Sequence, residues 1–217
     1  MASSTRRRAL RNLAALPVVL AAGTAGYAAT ARASDADAHR PVAALEAALL
    51  RVMQAGQRTP FTQRYDMLAP VVQNTFDLRL VLQLVVGFGW NSMNASQQQT
   101  LLTAFTEYSV ATWVSNFNSY SGQRFEFLPN DRSLGATQMV VTTELIPASG
   151  KPHRLDYVMR LIPGGWKAVD VLADNISRLA TLRSDFSSLV AEDSSGAALA
   201  AALRKKASAL TTEEAPV

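Results

Sequence analysis

Residues able to do acid, base, nucleophilic or metal chemistry are scarce in this chain, and their spacing narrows that chemistry further. There is no cysteine among the 217 residues. That removes a thiolate nucleophile, a thiolate metal centre and a disulfide scaffold. The only histidines are His39 and His153, far apart in the chain. A zinc site would need carboxylates for most of its ligands, so no metal and no cofactor is expected. A Ser-His-Asp centre would have to recruit one of the same two histidines, and neither stands near a G-x-S-x-G elbow. Gly164-Gly165 is followed by no Lys-Ser/Thr pair and no helix start, so it reads as a hairpin turn and not as a phosphate loop. Two aspartates in alternating segments complete the set. Asp156 falls with Arg154 and Arg160, where a solvated charge pair accounts for it. Asp170 shares a face with Trp166, Ala168 and Leu172; a structural hydrogen-bonding role is expected, because no second titrating group can be placed beside it. No catalytic residue is assigned.

The elements that would position these groups follow from periodicity. From Arg40 to about Asn118 apolar residues recur at helical spacing, from Gly122 to Ala173 they alternate, and from residue 175 onward they are helical again. The first helix is expected to open at Pro41, run through Leu45, Leu49, Leu50 and Met53, and end at Gly56. The second lies in FTQRYDMLAPVVQNTF and should bend or break before Pro70. Asp77 should cap a third helix that stops at Gly87. Ser96 with Gln99 matches a capping box ahead of TLLTAFTEYSVATWVSNFN. Four strands follow, joined by turns at Ser149-Gly150 and Pro163-Gly164-Gly165, which implies an antiparallel meander. The expectation is an α+β domain in which a sheet of about four strands is packed by amphipathic helices. The tail, residues 207–217, should be loose.

The long fourth helix carries apolar surface to spare. Leu101, Leu102, Phe105, Tyr108, Val110, Trp113 and Phe117 spread over an arc of roughly 200°, whereas one core needs a stripe of about 100°. Either a second packing partner takes the excess or part of the arc lines an apolar cavity.

Charge points outward from the cytoplasm. The formal charge of +4 owes its excess to Arg6, Arg7, Arg8, Arg11 and Arg32; without residues 1–33, 16 basic residues face 17 acidic ones, a net charge of −1. No nucleic-acid partner is therefore expected. The same segment has a basic start, an apolar and small-residue stretch, and Ala31-Arg32-Ala33, the pattern of a cleaved export signal with the cut after Ala33; a membrane anchor is the competing reading, but Gly23, Thr24, Gly26 and Thr30 dilute the apolar run. Arg6-Arg7 is similar to a twin-arginine signal, but stacked arginines also occur in ordinary leaders.

The stretches RYDMLAPVVQNTFDL, FTEYSVATWVSNFNSYSGQRFEF, HRLDYVMRLIPGGWKAVDVL and ISRLATLRSDF, in this order after a leader, resemble the MlaC or toluene-tolerance (Ttg2-type) family of periplasmic lipid-binding proteins. YSGQRFEF and LRSDF look closer to its hopanoid-associated branch, HpnM. The resemblance covers residues 40 to 206, and its specificity lies in the order and spacing of the four segments. Asn175 stands where the family often has glycine; asparagine tolerates left-handed backbone better than most residues.

The resemblance implies an NTF2-like cone whose helices and curved sheet (residues 34–206) enclose a cavity for lipid chains. It also implies a monomeric carrier of phospholipid or hopanoid between an outer-membrane complex and an inner-membrane ABC transporter. Face assignments give Phe105, Phe117, Val141, Leu155, Tyr157, Leu172 and Leu179 as lipid-binding residues, and the family segments place Trp113 and Ile176 at the mouth. An enzyme is the alternative, since such cones also house isomerases and dehydratases that use a buried Asp or Tyr; Asp170 and Tyr157 would then be the candidates. A module whose own side chains fill the apolar surplus is a third possibility.

Overall fold

The computed structural model describes residues 35–213, and the expected export leader lies outside them. Among the described residues there are six α-helices: α1 Asp35–Ala55, α2 Phe61–Thr75, α3 Leu78–Val86, α4 Ala95–Asn116, α5 Arg178–Glu192 and α6 Ala197–Glu213. The strands are β1 Arg124–Phe127, β2 Arg132–Gly135, β3 Gln138–Ile146, β4 His153–Ile162, β5 Gly165–Ala173 and β6 Ile176–Ser177. They form one antiparallel sheet in the order β1-β3-β4-β5-β6, and β2 also pairs with β3. The α+β expectation therefore holds, with six strands in place of four. The two extra strands are short: β2 is four residues, all exposed, and β6 is two residues, so neither carries an alternation long enough to read.

Local chemistry sets several boundaries. The Asp77 carboxylate accepts from the Leu80 amide, and α3 stops where Gly87 takes φ 67°. The capping box lies two residues ahead of the expected one: Asn94 and Gln97, not Ser96 and Gln99, exchange side-chain and backbone hydrogen bonds. The stretch NASQQQ offers the same spacing in both registers. Helix α1 starts at Asp35, with Pro41 inside it, and α2 runs unbroken past Pro70. Tertiary burial of Val42, Leu45, Leu68 and Val72, each 0% exposed, holds both helices across their prolines. Helix α6 continues beyond Ala207, where a loose tail was expected, because Ala207 and Leu210 pack against the hydrophobic clusters.

The core has two parts. In one, α1, α2 and Val110, Ala111 and Val114 of α4 cover the inner face of the sheet, with Met139, Val141, Tyr157, Met159 and Ala168. In the other, α3, α5 and α6 surround Leu101, Ala104, Phe105 and Tyr108 of α4. The broad apolar arc of α4 thus serves two partners, one for each half of the helix. Helix α2 is tied to the sheet at its end, where Phe76 bridges to Ala168 and the Asp77 amide donates to the Ala168 carbonyl at 3.0 Å.

An irregularity in β5 changes which side chains face inward. Val158 pairs with Asp170 and Met159 with Ala168, so Val169 is a bulge residue with no partner. Side chains alternate along a strand, so an extra residue exchanges the two faces beyond it. Val171, paired with Tyr157, therefore joins the inner face carrying Trp166 and Ala168, and Leu172 pairs with Asp156 on the other. This corrects the expectation that Asp170 and Leu172 share a face with Trp166 and Ala168. Asp156 is also not a solvated charge: it is 4% exposed, accepts from Thr142 Oγ1 at 2.8 Å, and binds the Arg154 guanidinium.

Candidate functional site

Where α3, α4 and α5 meet the end of the sheet, the helices do not close on the strands, and a cavity of about 410 Å³ remains. That size is in the range of small-molecule sites. Its helical walls are Leu78 and Val81 of α3, Phe105, Tyr108 and Trp113 of α4, and Leu179 and Leu182 of α5; Leu145, Leu155 and Val171 come from the sheet. Phe76, Trp113, Phe117 and Phe125 form a continuous aromatic row, with centroid separations of 5.7, 5.5 and 6.2 Å. At one end the lining includes the exposed residues Asn116, Ser119, His153 and Asp174. The deep end holds Phe105 and Leu182, both buried. An apolar interior that opens on a polar rim can receive an amphiphile, with its hydrocarbon inside and its head at the rim.

The polar groups on this wall are largely committed to structure. Asp170 accepts from the Val171 amide at 2.8 Å, the Leu179 amide at 2.9 Å and the Ser177 hydroxyl at 2.6 Å. Its carboxylate therefore fastens the start of α5 to β5, which is the structural role expected of it. Ser177 caps the same helix through the Ala180 amide. Asp174 accepts from His153 Nδ1 and the Arg154 amide; those bonds, that of His153 first, hold its pKa below the ordinary value. Asp174 and Asn175 form the two-residue turn between β5 and β6, with φ 48° and 70°. A tight hairpin needs positive φ at both positions, and Asn175 supplies it where the family often has glycine.

Five of the nine residues expected to bind lipid line the cavity: Phe105, Trp113, Phe117, Leu155 and Leu179. Val141 and Tyr157 are 0% exposed in the filled core under α1. Leu172 faces away from the inner side because of the bulge at Val169, and Ile176 is 69% exposed beside the rim. The residues of the enzyme alternative do not converge. Asp170 and Tyr157 belong to adjacent rungs of the β4–β5 ladder, whose side chains leave opposite faces.

The group beside Tyr157 is Glu46, which the sequence reading passed over. Glu46 is 4% exposed and accepts from Thr143 Oγ1 at 2.6 Å. Burial raises its pKa from 4.5 to about 7, against the opposing effect of the Thr143 and Tyr157 hydroxyls. The Tyr157 hydroxyl, without a hydrogen bond of good geometry of its own, is pushed well above the ordinary tyrosine range by burial and by the neighbouring Glu46. One sequence signal was available: Glu46 stands four residues after Val42 and three before Leu49, on their buried arc. Leu182 was legible in the same way, three residues beyond Leu179. Val171 was hidden by the bulge.

Comparison with known proteins agrees with this geometry. A solved structure of the phospholipid-binding protein from Ralstonia solanacearum, in complex with a phospholipid, superposes with a TM-score of 0.65 at 19% identity. The match covers 81% of this chain and 97% of that one, and at this identity it establishes a shared fold. The MlaC protein family model matches residues 44–205, which is most of the sequence, and the chain belongs to that family.

Proposed function

We propose that this protein is a periplasmic lipid carrier whose cavity takes the hydrocarbon of a phospholipid. The observation that carries the reading is the aromatic-walled cavity between α3, α4, α5 and the sheet. Each methylene moved from water into such a space is stabilised by about 0.8 kcal/mol, so the chain supplies affinity without a covalent or metal anchor. Family membership and a neighbour solved with phospholipid support the same cargo. No helix among the described residues is long and apolar enough to cross a membrane, which fits a carrier that leaves one membrane surface for another.

The finer parts of the reading rest on the resemblance and the leader. Residues 1–33 direct export and are cut after Ala33, so the periplasmic form begins at Ser34. The mature protein, an NTF2-like cone, acts as a monomer between an outer-membrane lipid complex and an inner-membrane ABC transporter. Phospholipid is favoured over hopanoid as cargo because the cavity opens on a polar rim.

The test is mass spectrometry of lipids extracted from protein purified out of its native periplasm, with amino-terminal sequencing of the same sample. A phospholipid near one per chain and a first residue of Ser34 are expected. Protein that carries no lipid and takes none up from vesicles would overturn the carrier reading.

A further inference from the structure

We infer that Arg178 makes the cavity selective for lipids bearing an anionic phosphate head over neutral lipids with the same chain. The inference rests on the carrier reading and adds the chemistry of the head group. Among the described residues lining the cavity, Arg178 is the one lysine or arginine. Its guanidinium stands 5.8 Å from the centre of the Tyr108 ring and donates to Tyr108 Oη at 3.0 Å. Tyr108 is itself buried and packed edge-on against Phe186, with centroids 6.1 Å apart, so the guanidinium rests on a fixed surface.

Arg178 has donors to spare. A guanidinium carries five N–H groups, and Tyr108 takes one. No carboxylate among the described residues forms an ion pair with it. The two acids of the cavity wall are engaged elsewhere: Asp170 with two amides and the Ser177 hydroxyl, Asp174 with His153 and the Arg154 amide. A half-buried guanidinium with unused planar donors, set against an apolar space, matches the paired oxygens of a phosphate. Partial removal from water strengthens that attraction. A neutral lipid offers the guanidinium no comparable partner.

The test compares two single-chain lipids below their micelle concentrations, palmitoyl lysophosphatidylglycerol and monopalmitoylglycerol. Each displaces the neutral fluorophore N-phenyl-1-naphthylamine from delipidated full-length protein. The parent should bind the phosphate lipid at least tenfold tighter, and added salt should shrink that ratio, as expected for a charge-assisted contact. Arg178→Gln should reduce the ratio about tenfold and remove its salt dependence, and Arg178→Lys should keep part of both. Inorganic phosphate without a chain should displace nothing. Equal affinities in the parent, a ratio unchanged in Arg178→Gln, or displacement by inorganic phosphate alone would overturn the proposal and leave the carrier reading intact. Failure of the parent to take up the fluorophore and both lipids would sink the carrier reading itself. The salt arm uses the parent alone, so an affinity ratio that salt leaves unchanged overturns the proposal even where a variant folds poorly.

Discussion

Two stretches of the inner sheet face carry similar residues and meet different fates. Around Val141, Tyr157 and Met159 the face lies under α1 and is packed solid, with all three at 0% exposed. Toward Leu145, Leu155 and Val171 the helices stand off, and the same kind of apolar surface becomes a cavity wall. What separates wall from core is the placement of the neighbouring helix. The filled stretch also holds the polar trio of Glu46, Thr143 and Tyr157, whereas the polar groups of the open stretch lie along its wall and rim.

The largest effect should come from removing side chains on the two sides of this divide. Leu45 is 0% exposed in the filled core, and Leu45→Ala should cost about 3 kcal/mol, because the void it leaves is enclosed by atoms that cannot collapse into it. Phe117, half-buried on the cavity wall, borders an existing space, so Phe117→Ala should cost less than half of that while lowering lipid uptake. Urea unfolding of delipidated protein measures both. Equal losses would mean that the cavity is packed as tightly as the core.

The next effect belongs to Glu46. Its native pKa of about 7 lies above the 4.5 of the open carboxyl, so the folded state favours the protonated form. The associated stability is full below pH 4.5, declines as the unfolded chain ionises first, and is gone above about pH 7. The decline should amount to about 3 kcal/mol across that window. Glu46→Gln keeps an acceptor for Thr143 without the charge, so it should flatten the profile and be the more stable protein at pH 8. Parallel pH profiles of parent and variant would show that burial does not hold Glu46 protonated.

Asp170→Asn comes third. The carboxylate accepts three hydrogen bonds that join β5 to α5, and an amide cannot serve all of them, so a loss of about 2 kcal/mol is expected. Thermal unfolding should report this loss, and lipid content should persist. A well-folded variant that lost a measurable turnover of a lipid or steroid substrate would restore the enzyme reading.

How far the sequence could be read follows from the range of each interaction. The Asp77 cap and the Gly87 stop are complete within one turn of chain, so residue types announce them. The apolar excess of α4 was legible as an excess, but its division between two clusters and a cavity depends on α3, α5 and α6. The face of Leu172 turned on a single bulge residue, Val169, which alternation cannot reveal because Val169 is itself apolar. Asp156 read as solvated because its strand places it among arginines; its cover comes partly from Thr142, on the neighbouring strand. The register of the α4 cap failed for another reason, since two equivalent pairs lay side by side in one short segment.

The smallest effect should be at Ile176, and it locates the edge of the open stretch. Ile176 is 69% exposed, between the rim residue Asp174 and the wall residue Arg178. A carboxylate placed there stays in water, so Ile176→Glu should change the melting of delipidated protein by less than about 0.5 kcal/mol, the usual limit for surface substitutions. The side chain forms no part of the described wall, so co-purified lipid should also remain at the parental level. Lipid lost with melting unchanged would mean instead that the bound chain passes over the β5–β6 turn. The mouth would then lie at Ile176, and the lip of the cavity would extend beyond the walls formed by α3, α4, α5 and the sheet.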